Sequence, residues 1–146
     1  MRRLLAAALA FSAILVPATG LAKPDKPSAA TLTITFKGVE TPTGSVMIAL
    51  YDAAGWTSGK PIRVAMADAA VAAPSVSIAD LPPGRYGIKA FHDVDGDGKM
   101  GTNPFGMPTE PFAFSNDAKG SRGLATWEAA SFEIVVPGGS QSITIR

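Results

Sequence analysis

Three carboxylates spaced two residues apart dominate the chemistry open to this chain. Asp93-Val94-Asp95-Gly96-Asp97-Gly98-Lys99 sets acidic side chains at loop positions 1, 3 and 5, glycine at 6 and the Lys99 backbone carbonyl at 7. Calcium takes six to eight hard oxygen ligands at about 2.3–2.6 Å, and a loop curling around it turns every second side chain inward. Gly98 permits the sharp bend such a loop needs. An EF-hand would supply Glu at position 12, where this chain has Pro104, and helical flanks are absent. The spacing therefore points to a calcium-type loop of another kind, with Asn103, Thr102 or Glu110 to close the shell. The same residues also describe a solvated Asp/Gly turn held by Asx hydrogen bonds. Crowded carboxylates repel unless a cation sits among them, which favours Ca2+, in a structural rather than a catalytic role. Magnesium fits less well, since it keeps more of its waters.

His92 is the single histidine. A His-based zinc triad is thereby excluded, and any Ser-His-Asp chemistry must run through His92, with Asp93 beside it. Strand parity puts it on the core side, where it reads as a hydrogen-bonded residue orienting the acidic loop or as a general base. Glu110 and Asp117 are the candidate carboxylate pair for glycoside hydrolysis. Ser115 and Ser131 lack the pattern of a nucleophile elbow. The aromatic residues Phe105, Phe112, Phe114 and Trp127, with Trp56 from an earlier loop, offer either a stacking surface for sugar or peptide or a satellite core under the loop. Pro104, Pro108 and Pro111 rigidify this stretch by limiting its unfolded states.

Positioning these residues falls to short strands. Period-two alternation gives Leu32, Ile34 and Phe36 one face of a first strand. A second, Ser45 to Asp52, turns Val46, Ile48 and Leu50 inward. Ala53 to Lys60 reads as a loop carrying Trp56, and a third strand follows with Ile62, Val64 and Met66. The alanine-rich run 67–73 has no apolar stripe for a full helix, though one helical turn would fit. Val76 and Ile78 mark a fourth strand. Leu81-Pro82-Pro83-Gly84 turns into a fifth, Arg85 to His92, with Tyr86, Ile88 and Ala90 on one side. Phe132, Ile134 and Val136 make a sixth, and Ile143 and Ile145 lie on a seventh. The expected fold is all-β, a single seven-stranded antiparallel Ig-like or prealbumin-like sandwich. Its anomaly is the long connection between strands five and six, Asp93 to Ala130, of a length usually tied to function. Within it Thr126 caps one helical turn, Thr126 to Ala130.

The domain expected to fold is 31–146. Arg2 and Arg3 before the apolar run Leu4 to Val16, then Gly20-Leu21-Ala22, have the form of a signal peptide, 1–22, followed by a proline-rich flexible leader, 23–30. The expectation is a periplasmic or secreted protein with no membrane span after cleavage. The chain has 13 Lys plus Arg and 12 Asp plus Glu. Two basic residues leave with the signal, so eleven face twelve and the mature net charge is −1. No basic patch suits nucleic acid. The absence of cysteine excludes disulfides, thiolate metal sites and a Cys nucleophile.

The runs Phe91-His92-Asp93, Asp97-Gly98-Lys99, Thr102-Asn103, Phe105-Gly106-Met107-Pro108-Thr109-Glu110-Pro111 and Phe114-Ser115-Asn116 carry a resemblance, supported by VMIALYD at 46–52, Trp56, LPPGRY at 81–86 and Ala130-Ser131-Phe132. The chain resembles an uncharacterised exported bacterial family, domain of unknown function 2141. The resemblance implies a periplasmic or secreted β-sandwich and implies no activity. Relatives commonly have Asn in the acidic loop where this chain has Asp95 and Asp97, and often Asp near Gly101. The first departure favours a cation, and the second removes a ligand.

Three functions remain in view. One is a non-enzymatic envelope module that binds a protein, peptide or glycan through the long loop. Another is a small periplasmic hydrolase using His92/Asp93 or Glu110/Asp117. The third is a purely structural, calcium-stabilised domain.

Overall fold

The computed structural model describes residues 29–120 and 123–146. The expected signal peptide and all but the end of the leader lie outside these residues. The leader's last residue, Ala30, belongs to the domain, fully buried at the start of β1.

Among the described residues, eight strands form two sheets. In chain order they are β1 Ala30–Lys37, β2 Ser45–Tyr51, β3 Arg63–Asp68, β4 Ser75–Leu81, β5 Gly84–Asp93, β6 Phe112–Phe114, β7 Phe132–Ile134 and β8 Gly138–Thr144. Two short α-helices, α1 Ala53–Ser58 and α2 Trp127–Ala130, and one 3-10 turn, Ser115–Asp117, join them. One sheet has the order β4-β1-β8 and the other β3-β2-β5-β6, with β7 also on β5. Their inner faces share one apolar core, in which Leu32, Ile34, Phe36 and Ile143 meet Val46, Ile48, Leu50 and Ile88. The fold is all-β and sandwich-like. The expectation of seven antiparallel strands needs two corrections. A short extra strand, β6, lies inside the long connection, and β1 pairs with β8 in parallel, Thr31 opposite Gly138 through Lys37 opposite Thr144.

The alternation of β1, β2 and β5 predicts which side chains face the core, and in all three it does so correctly. In β3 the large residues mislead. Residues directly opposite in an antiparallel pair share a face. Ala67 and Ala65 stand opposite Val46 and Ile48 and so turn inward, whereas Met66 and Val64 stand opposite Met47 and Ala49 on the outer face. Met66 and Val64 are 62% and 73% exposed.

The expected loop around Trp56 is a helix. Asp52 caps α1 by accepting the Gly55 amide at 2.7 Å, and Gly59 ends it in the left-handed region at φ 74°. Between Ala67 and Ala73 there is no helical turn; β3 continues to Asp68, whose carboxylate accepts the Ala70 amide at 2.8 Å. The cap expected at Thr126 is present, its hydroxyl accepting the Ala129 amide.

Two short strands share one edge of β5. β7 pairs with Gly84–Tyr86 and β6 with Lys89–Phe91. Ile88 lies between them, and its amide donates at 2.9 Å to the Ser115 hydroxyl, which donates in turn to the Ala130 carbonyl. Ser115, fully buried, is thus a link between the two half-strands rather than a nucleophile. The chain after β8 returns to β6, where Phe112 and Arg146 exchange backbone hydrogen bonds of 3.0 and 3.3 Å. No helix among the described residues is long and apolar enough to cross a membrane, a finding that bears on helices alone.

Candidate functional site: an acidic loop beside a roofed apolar groove

β5 ends in the acidic loop. Its last residue, Asp93, is nearly fully buried and accepts the Gly96 amide on Oδ1 at 2.9 Å and the Gly98 amide on Oδ2 at 3.0 Å. Asp95 and Asp97 are exposed and accept the Asp97 and Lys99 amides at 3.2 and 2.7 Å. One carboxylate oxygen of each of the three lies within 4.8 Å of the others. The sequence spacing therefore does gather Asp93, Asp95 and Asp97 at one point.

The residues proposed to close the shell do different work. Asn103 Oδ1 accepts the Phe105 and Met107 amides, both at 3.0 Å, and so shapes the tip of a hairpin that the Thr102–Pro108 bridge closes. Glu110 clamps the stem of the loop, Oε1 accepting the Val94 amide at 3.0 Å and Oε2 the Gly101 amide at 2.8 Å. A Cβ on residue 101 would stand 2.8 Å from Thr109 Oγ1, so the clamp and the absence of a side chain at Gly101 go together. Glu110→Ala frees both amides. Hydrogen bonds to charged acceptors are worth about 1.5–3 kcal/mol each. Both amides are only partly buried and regain water, so the expected loss falls below the sum of the two, at roughly 2–3 kcal/mol in urea unfolding, with faster hydrogen exchange at Val94 and Gly101.

His92 is buried, and its Nε2 lies 2.7 Å from the Thr43 carbonyl oxygen. A carbonyl only accepts, so Nε2 carries the proton. The imidazole ties β5 to the Thr43-Gly44 turn, with Asp93 facing its own loop. Asp117 accepts the Thr144 amide at 2.7 Å and the Thr144 hydroxyl at 3.1 Å. It borders a hollow of about 270 Å³ that Lys119 and Arg146 also line. Glu110 and Asp117 thus engage separate parts of the fold, each with two backbone or hydroxyl donors.

Four of the five aromatic candidates form one cluster. Trp56 meets Tyr51, Phe114 and Trp127 at ring-centroid distances of 5.8, 6.1 and 5.9 Å, and Phe112 meets Phe114 at 5.8 Å. The indole Nε1 donates to the Ala125 carbonyl at 3.3 Å. Phe105 stands apart on the hairpin tip, 90% exposed.

The sheet register reveals what the sequence pattern hides. On the outer face Met66, Met47, Phe91 and Phe112 form one row across four strands, and Val64, Ala49, Lys89 and Phe114 form the next. All of these residues but Met66 floor a groove of about 840 Å³, walled by Met100, Met107 and Pro108 of the hairpin and by Leu124. Lys89 is the single charged residue among the described residues that line it. Its Nζ sits 4.5 Å from the ring centroids of both Tyr51 and Trp56 and 3.3 Å from the Trp56 carbonyl oxygen. Burial lowers the Lys89 pKa and raises that of Tyr51. One sequence signal for the groove existed: VMIALY in β2 is apolar on both faces, the mark of a strand covered on both sides.

A family model described as "uncharacterized protein conserved in bacteria" matches residues 34–144. No curated protein and no solved structure matches the chain. The match covers both sheets, the acidic loop and the groove, and the chain belongs to this bacterial family, domain of unknown function 2141.

Proposed function

We propose that the protein is an exported, non-catalytic binding module whose site is the roofed groove on the outer face of the larger sheet. One observation carries this reading: an outer sheet face lined by methionine and aromatic side chains and walled by the hairpin into a groove. Ligand sites are typically concave, mostly apolar and about 300–1,000 Å³. The long connection supplies the walls, as binding through that loop requires. The lining is too poor in donors and acceptors for a glycan, so most of the ligand's surface is apolar. Catalysis is disfavoured because Glu110 and Asp117 spend both carboxylate oxygens on hydrogen bonds and His92 holds a turn. The scaffold is read as a variant of the Ig-like or prealbumin-like sandwich, with the extra β6 and a parallel closing pair.

A neutral fluorescent naphthylamine is the probe of choice. It should brighten on addition of the protein, and Ala49→Trp, which fills the floor, should weaken its binding about ten-fold or more. Phe105→Ala, outside the lining, should leave binding unchanged. Equal binding by the wild type and Ala49→Trp would remove the groove from consideration.

Calcium is the second part of the reading. The clustered oxygens of Asp93, Asp95 and Asp97 support it; their hydrogen bonds to loop amides describe the competing solvated turn. With a Kd of about 0.1 mM and calcium at about 1 mM, linkage adds roughly 1.4 kcal/mol. That corresponds to a Tm rise of roughly 3–8 °C over chelator for a domain of this size. Asp95→Ala/Asp97→Ala should abolish the rise; Asp93 is left intact because it holds the loop without any ion. The same Tm in calcium and in chelator leaves the solvated turn as the correct description.

A further inference from the structure

Resting on the groove reading, we propose that its occupant is a free single-chain carboxylate amphiphile whose anionic head pairs with Lys89 and whose alkyl tail runs over Phe91 toward Met100 and Met107.

The argument begins with charge. A lysine on an outer sheet face ordinarily extends its ammonium into water. Lys89 folds its ammonium against the Tyr51 and Trp56 rings and the Trp56 carbonyl oxygen. An ammonium has three N–H donors. One carbonyl and two ring faces orient it and leave its full charge uncompensated, since cation–π contacts carry no counter-charge. Among the described residues no carboxylate meets it and no Asp or Glu lines the groove. The complement of one fixed cation in an apolar groove is one anion on an apolar body.

Position sets the ligand's direction. Ala49 and Phe114 flank Lys89 in its row, and the small Ala49 side chain leaves the space beside it open. Phe91 follows two residues along β5, about 6–7 Å further on. Met47 lies opposite Phe91, and Met100 and Met107 cover that end from the hairpin. Unbranched, polarizable methionine side chains adapt to a flexible tail better than branched residues do. A flat protein surface would reach the exposed rim at Val64 and Leu124, but not an ammonium set on the floor.

The test compares head groups on one tail. Dodecanoate and dodecyltrimethylammonium below their micellar concentrations, and dodecanol below its solubility limit, are titrated into the purified protein and followed by calorimetry. Fluorescence of Trp56, which touches Lys89, reports the same event. Dodecanoate should bind about ten-fold or more tightly than dodecanol, and the trimethylammonium compound weakest of all. Lys89→Met should keep dodecanol binding and bring the carboxylate within about two-fold of it. Equal affinity for dodecanoate and dodecanol in the wild type overturns the head-group assignment and leaves the groove reading standing. A preference that persists in Lys89→Met overturns it too. Should Lys89→Met fail to fold, the wild-type comparison decides alone. Binding to phosphatidylglycerol vesicles without binding of monomeric dodecanoate overturns the free carboxylate. Failure of all three amphiphiles and of the neutral naphthylamine overturns the groove reading as well.

Discussion

Replacing Trp56 with alanine is expected to cost about 3–5 kcal/mol, the range for removing a large aromatic side chain from a packed interior. The indole is the hub of the second core, in contact with Tyr51, Phe114 and Trp127, and only 7% exposed. Its backing is rigid. A Cβ on residue 87 would lie 2.9 Å from the Trp56 ring and 3.0 Å from that of Trp127, so both indoles rest on the bare Gly87 backbone of β5. On that side there is no side chain to move into the space. The loss also removes one of the two rings that hold the Lys89 ammonium. Urea unfolding at constant m-value measures the effect. A loss below about 1 kcal/mol would mean that the cluster repacks around the gap, contrary to the geometry. Phe105→Ala is the control and should change stability by no more than about 0.5 kcal/mol.

Ser115→Ala is the second large effect, expected at about 2–6 kcal/mol. A buried polar group left without its partner costs about 1–3 kcal/mol, and this substitution orphans two, the Ile88 amide and the Ala130 carbonyl. Removing one oxygen atom would ordinarily be a small change. Here that oxygen stands where a continuous strand would have supplied a ladder partner. Native-state hydrogen exchange separates this account from a general loosening. The Ile88 amide should lose protection far more than Ile48 on the neighbouring β2 or Leu32 in the other sheet. Equal loss at all three would contradict it.

These two residues show how far the sequence was legible. The core of β1, β2 and β5 follows from alternation alone, because large apolar residues at every second position have one place to go. Asp93, Asp95 and Asp97 are neighbours in the chain, so their gathering in space was legible as well. β6 was not, since Phe112-Ala113-Phe114 is too short to display a period. The helix at Ala53 was readable in principle from Asp52 and Gly59, its two caps, but six residues are too few for an apolar stripe. Met66 and Val64 misled because alternation gives two faces and does not say which is inside; alanines opposite Val46 and Ile48 settle that only once the register is known. Lys89 was invisible for the same reason. In Ile88-Lys89-Ala90-Phe91 it reads as an ordinary solvent-facing lysine, and only its pairing with Ala49 and Phe114 brings it onto an apolar floor.

The parallel pairing of β1 with β8 has a kinetic consequence. Thr31 lies opposite Gly138, so the first strand of the smaller sheet has half its hydrogen-bonding partners only after nearly all the intervening chain exists. Bringing such distant segments together costs loop-closure entropy before any contact repays it, and topologies dominated by distant pairings fold in milliseconds to seconds. Until then Leu32, Ile34 and Phe36 sit on a strand with one open edge, the arrangement most prone to pairing with another chain. Folding of this protein should therefore be all-or-none with respect to β8. A chain interrupted before Gly138 would be caught as an aggregating intermediate rather than as a smaller stable domain.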